Sequence, residues 1–140
     1  MKFIKVLPFS LLFLGLVTLF VSCENESTES LVRVRVINSD SIPVQNALVR
    51  VFSPGDTTVF TNNNTKGQFQ RYSGIDGWLA DTTTGEPLMI RLNFGEAYLD
   101  VEAKKGGWKG CGFVHVKEGL NYDVTVIIKP FGDLNNGCPQ

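Results

Sequence analysis

Polar and apolar residues alternate along most of this chain with a period of two. In residues 31–37, Val32, Val34 and Val36 fall on one side and Arg33 and Arg35 on the other. That pattern predicts a strand with one face on a core and one face in water. In 47–53 the residues Ala47, Val49 and Val51 are set against Leu48, Arg50 and Phe52. In 97–104, Leu99, Val101 and Ala103 oppose Tyr98, Asp100 and Glu102. Residues 108–117 place Val114 and Val116 opposite Phe113 and His115, and residues 120–129 align Val124, Val126 and Ile128. Shorter β-type runs fall at 57–61, 68–73, 78–84 and 88–94. Turn chemistry separates them: residues 38–43, 53–56 and 62–67, then Asp76-Gly77, Gly85-Glu86-Pro87, Gly95-Glu96, Gly106-Gly107 and Glu118-Gly119. A 3.6-residue period is missing after the leader. The expectation is an all-β, antiparallel, Ig-like or transthyretin-like sandwich of about seven to nine strands.

The first 22 residues break this pattern. Lys2 and Lys5 precede an almost unbroken apolar run from 6 to 21, interrupted by Pro8 and Gly15. A membrane span needs about 20 apolar residues; this shorter run with a basic start reads as a secretory signal peptide. Phe20-Val21-Ser22-Cys23 closes it. This stretch resembles the lipobox of bacterial lipoproteins, with Phe20 where leucine is usual. The resemblance implies a diacylglyceryl thioether on Cys23, cleavage before it, and an outer-membrane, lipid-anchored protein at the cell surface or on the periplasmic face. The alternative is cleavage near Ser22 that leaves a free thiol. Each buried methylene contributes about 0.8 kcal/mol, so two or more chains anchor stably where one does not.

Charge sharpens the organisation. Without Lys2 and Lys5 the 13 basic residues fall to 11, against 14 acidic ones. Three of those acids, Glu24, Glu26 and Glu29, sit in the polar stretch 23–30, which reads as a solvated tether. Setting them aside leaves 11 basic against 11 acidic residues, and no surplus to hold nucleic acid by counterion release. The expected division is signal peptide 1–22, lipidated acidic tether 23–30, sandwich domain 31–130 and C-terminal tail 131–140. Cys111 and Cys138 remain after the anchor. In an oxidising compartment they suggest a disulfide tying the tail to the body; two separate thiols are the alternative. A metal site is not expected, because the cysteines lack close spacing and the chain has one histidine.

Val34-Arg35-Val36 followed by Ile42-Pro43-Val44-Gln45-Asn46-Ala47-Leu48-Val49-Arg50-Val51 resembles the opening of carboxypeptidase-regulatory-like domains. The later Asp76-Gly77, Ala97-Tyr98-Leu99-Asp100-Val101 and Glu118-Gly119 fit the same pattern, whereas the stretch 57–94 is longer than usual. The resemblance implies a transthyretin-like sandwich, usually a non-catalytic module of cell-surface proteins.

Candidate chemistry is sparse. His115 is the lone histidine and lies on an alternating strand, where an ordinary strand residue outweighs a catalytic base. Asp100 and Glu102 share a strand face but lie near Lys104 and Lys105, which reads as a solvated face rather than a glycosidase pair. Asp76, Asp123 and the asparagine loop 62–64 lack the oxygen spacing of a calcium loop. Trp108, Tyr98 and Trp78 are the candidate ligand platform, with the two tryptophans as core or core-edge residues in the alternative. The expected function is a non-enzymatic envelope lipoprotein, without cofactor, that presents a sandwich to a protein or glycan partner. The alternative is a carbohydrate-binding module of a surface glycan-uptake system.

Overall fold

The valines that alternation places on one side of each strand form the core. The computed structural model describes residues 29–55, 68–93 and 95–139. The signal peptide, Cys23 and most of the tether lie outside the described residues, as do the expected strand at 57–61 and the asparagine loop. Eight strands follow in order: β1 (Ser30–Ile37), β2 (Leu48–Phe52), β3 (Gln68–Tyr72), β4 (Ile90–Leu92), β5 (Glu96–Lys105), β6 (Trp108–Lys117), β7 (Asn121–Ile127) and β8 (Lys129–Pro130). The described residues contain no helix. One sheet has three strands in the order β4-β1-β7, and the other has five in the order β3-β2-β5-β6-β8. This is the two-sheet sandwich expected from the sequence. Val32, Val34, Val36, Val124 and Val126 line the inner face of the first sheet, and Val49, Val51, Leu99, Val101 and Ala103 that of the second; all ten are buried. Burial of each valine or leucine contributes about 1.5–3 kcal/mol of transfer free energy.

Five of the six strand pairings are antiparallel, and β1 with β7 is parallel over Leu31↔Asn121 to Ile37↔Ile127. The exception follows from where β7 goes. It leaves β6 through the turn at Glu118-Gly119, crosses to the other sheet and lies beside β1. Both strands start at the same end, where the Ser30 hydroxyl donates to the Lys117 carbonyl (2.8 Å) and the Leu31 amide donates to the Leu120 carbonyl (3.2 Å). Ser30, the first residue of β1, lies at this near end. The β5–β6 hairpin turns at the far end through Gly106-Gly107, with Gly106 at φ 56°.

The crossing requires glycine in β6. A Cβ at Gly110 would stand 2.3 Å from the Ile127 carbonyl oxygen and 2.9 Å from Val126 Cγ1. At Gly112 the nearest atoms, on Val126 and Val124, are 3.6 and 3.7 Å away. At Gly112 a Cβ would make ordinary contacts, so it is the missing side chain at Gly110 that lets β7 lie against the inner face of β6 and close that flank of the core.

The expected last strand, 120–129, divides between the sheets. After β7 the Ile128 amide donates to the Ile37 carbonyl (2.9 Å) and its side chain is buried. Lys129 and Pro130 then pair with Lys109 and Trp108 in the five-stranded sheet. The expected strand at 78–84 is a corner instead. Leu79 bridges Ser73 and is buried, and Ala80 bridges Pro87. The Asp81 carboxylate then accepts the Thr83 (2.7 Å) and Thr84 (3.0 Å) amides and turns the chain.

Gly110→Ala should destabilise the fold by roughly 1–3 kcal/mol, the usual range for overpacking. Gly107→Ala should be near neutral, because no atom outside its immediate neighbours lies within 4 Å of the added Cβ. Urea unfolding of the two variants checks the contrast.

Candidate binding groove

Strand register lays out the outer face of the five-stranded sheet row by row. One row reads Gln68, Phe52, Asp100, Phe113 across β3, β2, β5 and β6. The next reads Gln70, Arg50, Glu102, Cys111. Toward the far end, Leu48, Lys104, Lys109 and Lys129 form a third row. Toward the near end Tyr98 stands opposite His115, their rings stacked with centroids 4.2 Å apart and planes 8° apart. His115 Nε2 contacts the Glu96 carboxylate, which fixes the imidazole over the tyrosine. His115 thus lies on the outer face of β6, opposite Tyr98.

Between these rows lies a groove of about 500 Å³, lined among others by Phe52, Asp100, Glu102, Lys109, Phe113 and Pro139. Its volume falls in the usual range for small-molecule sites, about 300–1,000 Å³. Aromatic residues border it: Phe113 is 70% exposed and Tyr98, next to Asp100 on the β5 outer face, is 57% exposed. The Arg50 guanidinium lies over the Phe52 ring, 5.7 Å from its centroid. Arg50 is itself held by Gln68, whose Oε1 accepts from Nη2 (2.7 Å) and Nε (3.2 Å).

The wall of the groove is the C-terminal tail. Cys111 and Cys138 form the disulfide that the sequence suggested. The Cys111 amide donates to the Asn136 carbonyl (3.0 Å), and Asn136 Oδ1 accepts the Cys138 amide (3.0 Å). Gly137 has φ 78°, and a Cβ there would stand 2.5 Å from the Cys111 carbonyl oxygen, so the tail presses directly on β6.

The floor is electrostatically organised around Glu102. Its carboxylate contacts Lys104, and Lys109 Nζ and Arg50 Nη1 are each 3.7 Å away. Desolvation alone would raise its pKa. Lys104, then Lys109 and Arg50, outweigh that and hold it below the usual glutamate value. The Glu102 carboxylate in turn relieves the repulsion between Lys104 and Lys109 in the lysine row; Lys129 has Asp133 as a counterion at 3.9 Å.

The three aromatics singled out in the sequence do not converge. Tyr98 borders the groove. Trp108 sits at the far end, paired with Lys105 and 44% exposed, beside a second groove of about 470 Å³ lined by Asn38, Val44, Gly107 and Ile128. Seven residues separate Tyr98 from Lys105 along β5, about 23 Å at the usual rise. Trp78 bridges Arg35 from beyond the strand, and its ring packs against the guanidinium groups of Arg33 (5.1 Å) and Arg35 (5.6 Å). Of the three, Tyr98 alone stands near the groove that Phe52 and Phe113 line, and sequence reasoning did not single out those two phenylalanines. Alternation placed Phe113 on an outer face, but only register brings it into one row with Phe52.

Asp76 and Asp123 have other partners. Asp76 Oδ1 accepts the Trp78 amide (3.1 Å), and Asp123 forms a two-point pair with Arg33 at 2.7 and 2.6 Å. The Arg33 hydrogen bond holds Asp123 below the usual aspartate value. Among the described residues no group of three or more His, Cys, Asp or Glu side chains is placed to hold a metal ion.

No protein-family model and no curated protein matches this chain. Solved structures match at low identity and with TM-scores below 0.5. One is 3-chlorocatechol 1,2-dioxygenase from Rhodococcus opacus 1CP, at TM-score 0.44 and 9% identity, with 74% of this chain and 61% of that chain covered. A second is the dioxygenase domain of a dioxygenase carbohydrate-binding protein fusion from Streptomyces sp. SirexAA-E, at TM-score 0.42 and 12% identity, covering 78% and 86%. A third is phospholipase PlaB from Legionella pneumophila, at TM-score 0.33 and 15% identity, covering 81% and 29%. The chain therefore spans less than two thirds of the first and third of these proteins. The likeness is to a small all-β domain, and it assigns no family.

Cys138→Ser should lower stability by roughly 3–4 kcal/mol in the chain-entropy model for a loop of this length; the cysteines are 27 residues apart. Comparing denaturant midpoints of the variant and the oxidised wild type measures it. For Glu102 the sign follows from its depressed pKa. Its contribution is complete above the unfolded-state value, about 4.3, and is lost as pH falls through the lower folded value. Glu102→Gln should therefore lose stability at pH 7 and show a shallower decline than wild type between pH 5 and 2, read from thermal melts across that range.

Proposed function

We propose that this chain is a non-catalytic, lipid-anchored module of the bacterial outer membrane that binds a macromolecular partner through the outer face of its five-stranded sheet. In this reading the two-sheet sandwich is of the carboxypeptidase-regulatory-like, transthyretin type, and Cys23 carries the lipid. The observation that carries the proposal is the groove itself. Exposed Phe113 and Tyr98, half-buried Phe52 and Asp100, and a wall clamped by a disulfide leave an aromatic surface in water where an ordinary solvated face would carry charge alone. The anchor reading rests on Phe20-Val21-Ser22-Cys23 and on the acidic stretch after it.

The groove's acids favour binding over catalysis. A glycosidase acid must hold its proton near neutral pH, which requires a raised pKa. Glu102 is shifted the other way by its three cations. It serves better as the fixed centre of a cationic floor than as a proton donor.

The anchor is tested by mass and fractionation. Intact mass of the protein extracted from membranes should show Cys23 as an acylated N-terminus, and Cys23→Ser should move the protein to the soluble fraction. An unmodified mature protein that fractionates as soluble overturns it. The binding face is tested in cells by a photo-crosslinking residue, Phe113→p-benzoylphenylalanine, against Thr125→p-benzoylphenylalanine on the opposite sheet. Capture of one defined partner from position 113 and not from 125 supports the face.

A further inference from the structure

We infer that the groove between Phe52 and Phe113 takes a neutral polysaccharide, an inference that rests on the outer face of the five-stranded sheet being the binding surface. The argument begins with the row Phe52, Asp100, Phe113. Two strand spacings of about 4.8 Å separate the outer two residues, so two phenyl rings stand on positions about 10 Å apart with one carboxylate between them. Tyr98 stands two residues along β5 from Asp100 on the same face, and its ring is held by the stack on His115 and the Glu96 contact. Two phenyl rings therefore flank the Asp100 carboxylate in the groove, and a tyrosine stands one row beyond it.

A sugar ring has two kinds of surface, and this groove offers a match for each. Its axial C–H face is weakly apolar and packs on an aromatic ring. Its equatorial hydroxyls need both acceptors and donors once water is displaced, because an unpaired buried polar group is costly. Asp100 supplies the acceptor, and Lys109, two rows away on β6 and lining the same groove, supplies donors. Glu102 keeps Lys109 in place, and Arg50 keeps a guanidinium over Phe52.

Charge narrows the class. The charged side chains that line the groove are Asp100, Glu102 and Lys109, and Lys104 and Arg50 stand against Glu102. Acids and cations are interleaved, so a polymer of one sign meets like charge wherever it lies along the groove. A polyuronate would bring its carboxylates against Asp100, and a basic peptide would bring its ammonium groups against Lys109 and Arg50. A neutral hydroxylated chain meets neither opposition. Openness along the sheet suits a polymer: the Phe52-to-Phe113 row runs across the strands, and among the described residues the tail walls one side only, along β6.

The experiment is affinity electrophoresis of the full-length protein in detergent, through native gels containing hydroxyethylcellulose, xylan, galactomannan, soluble starch or polygalacturonate. Retardation by at least one of the four neutral polymers is expected, with apparent affinity falling tenfold or more in Phe113→Ala and in Asp100→Asn. Both side chains lie on the outer face, and circular dichroism with a melting curve confirms that each variant folds. Ile75→Ala, on an exposed turn outside this face, should migrate as wild type. Retardation by none of the neutral polymers, by polygalacturonate alone, or equally in wild type and both variants overturns the inference. Crosslinking from position 113 separates the two readings. A protein captured there while all four neutral polymers fail removes the polysaccharide and keeps the face as a binding surface; failure of both experiments removes both.

Discussion

The close approach of β7 to β6 is the contact on which the sandwich depends. The two strands follow one another in the chain but belong to different sheets. Their backbones meet where Gly110 lies under Ile127, and no other residue type leaves room there. From that contact β7 reaches β1 and pairs with it in parallel, and the buried rows of the two sheets come into register across the core. It also sends Lys129 and Pro130 back to β6, which widens the five-stranded sheet by an edge. The face that carries the groove is thus a product of how the opposite face closes.

That groove is built from strand register: the described sheet face sets its rings and charges in fixed rows. Cross-strand neighbours are the unit of sheet chemistry. Here they put phenylalanine, aspartate and phenylalanine in one row and arginine, glutamate and a disulfide in the next. The buried half of each strand supplies rigidity, and the exposed half supplies a fixed pattern of rings and charges. Rigid placement lowers the entropy lost when a partner binds. The disulfide extends the same logic to the tail, which would otherwise fray from its last strand.

Much of this was legible in the residue pattern. Period-two alternation located β1, β2, β5, β6 and β7 to within a residue or two and assigned their inner faces correctly, because a one-residue error would turn valines into water. Cys111 and Cys138 suggested their bond because no other cysteine follows residue 23. Less legible were the stretches without alternation. Residues 81–84 carry three β-branched threonines, yet the Asp81 side chain captures two backbone amides and makes a turn. Residues 120–129 read as one strand, since nothing local marks the change of sheet at Ile128.

The residue order alone determined the class of fold, the faces of its long strands, the single cross-link and a leader that reads as a lipoprotein signal. Those properties are local or follow from pairing few candidates, so spacing and composition suffice to read them. Tertiary structure alone decided which strands became neighbours and in what direction. It made β1 and β7 parallel, sent Trp108, Tyr98 and Trp78 to three separate places, and brought Phe52 into one row with Asp100 and Phe113, 48 and 61 residues further along the chain. Register between distant strands is a global solution to burying one apolar face against another, and no local window of sequence contains it.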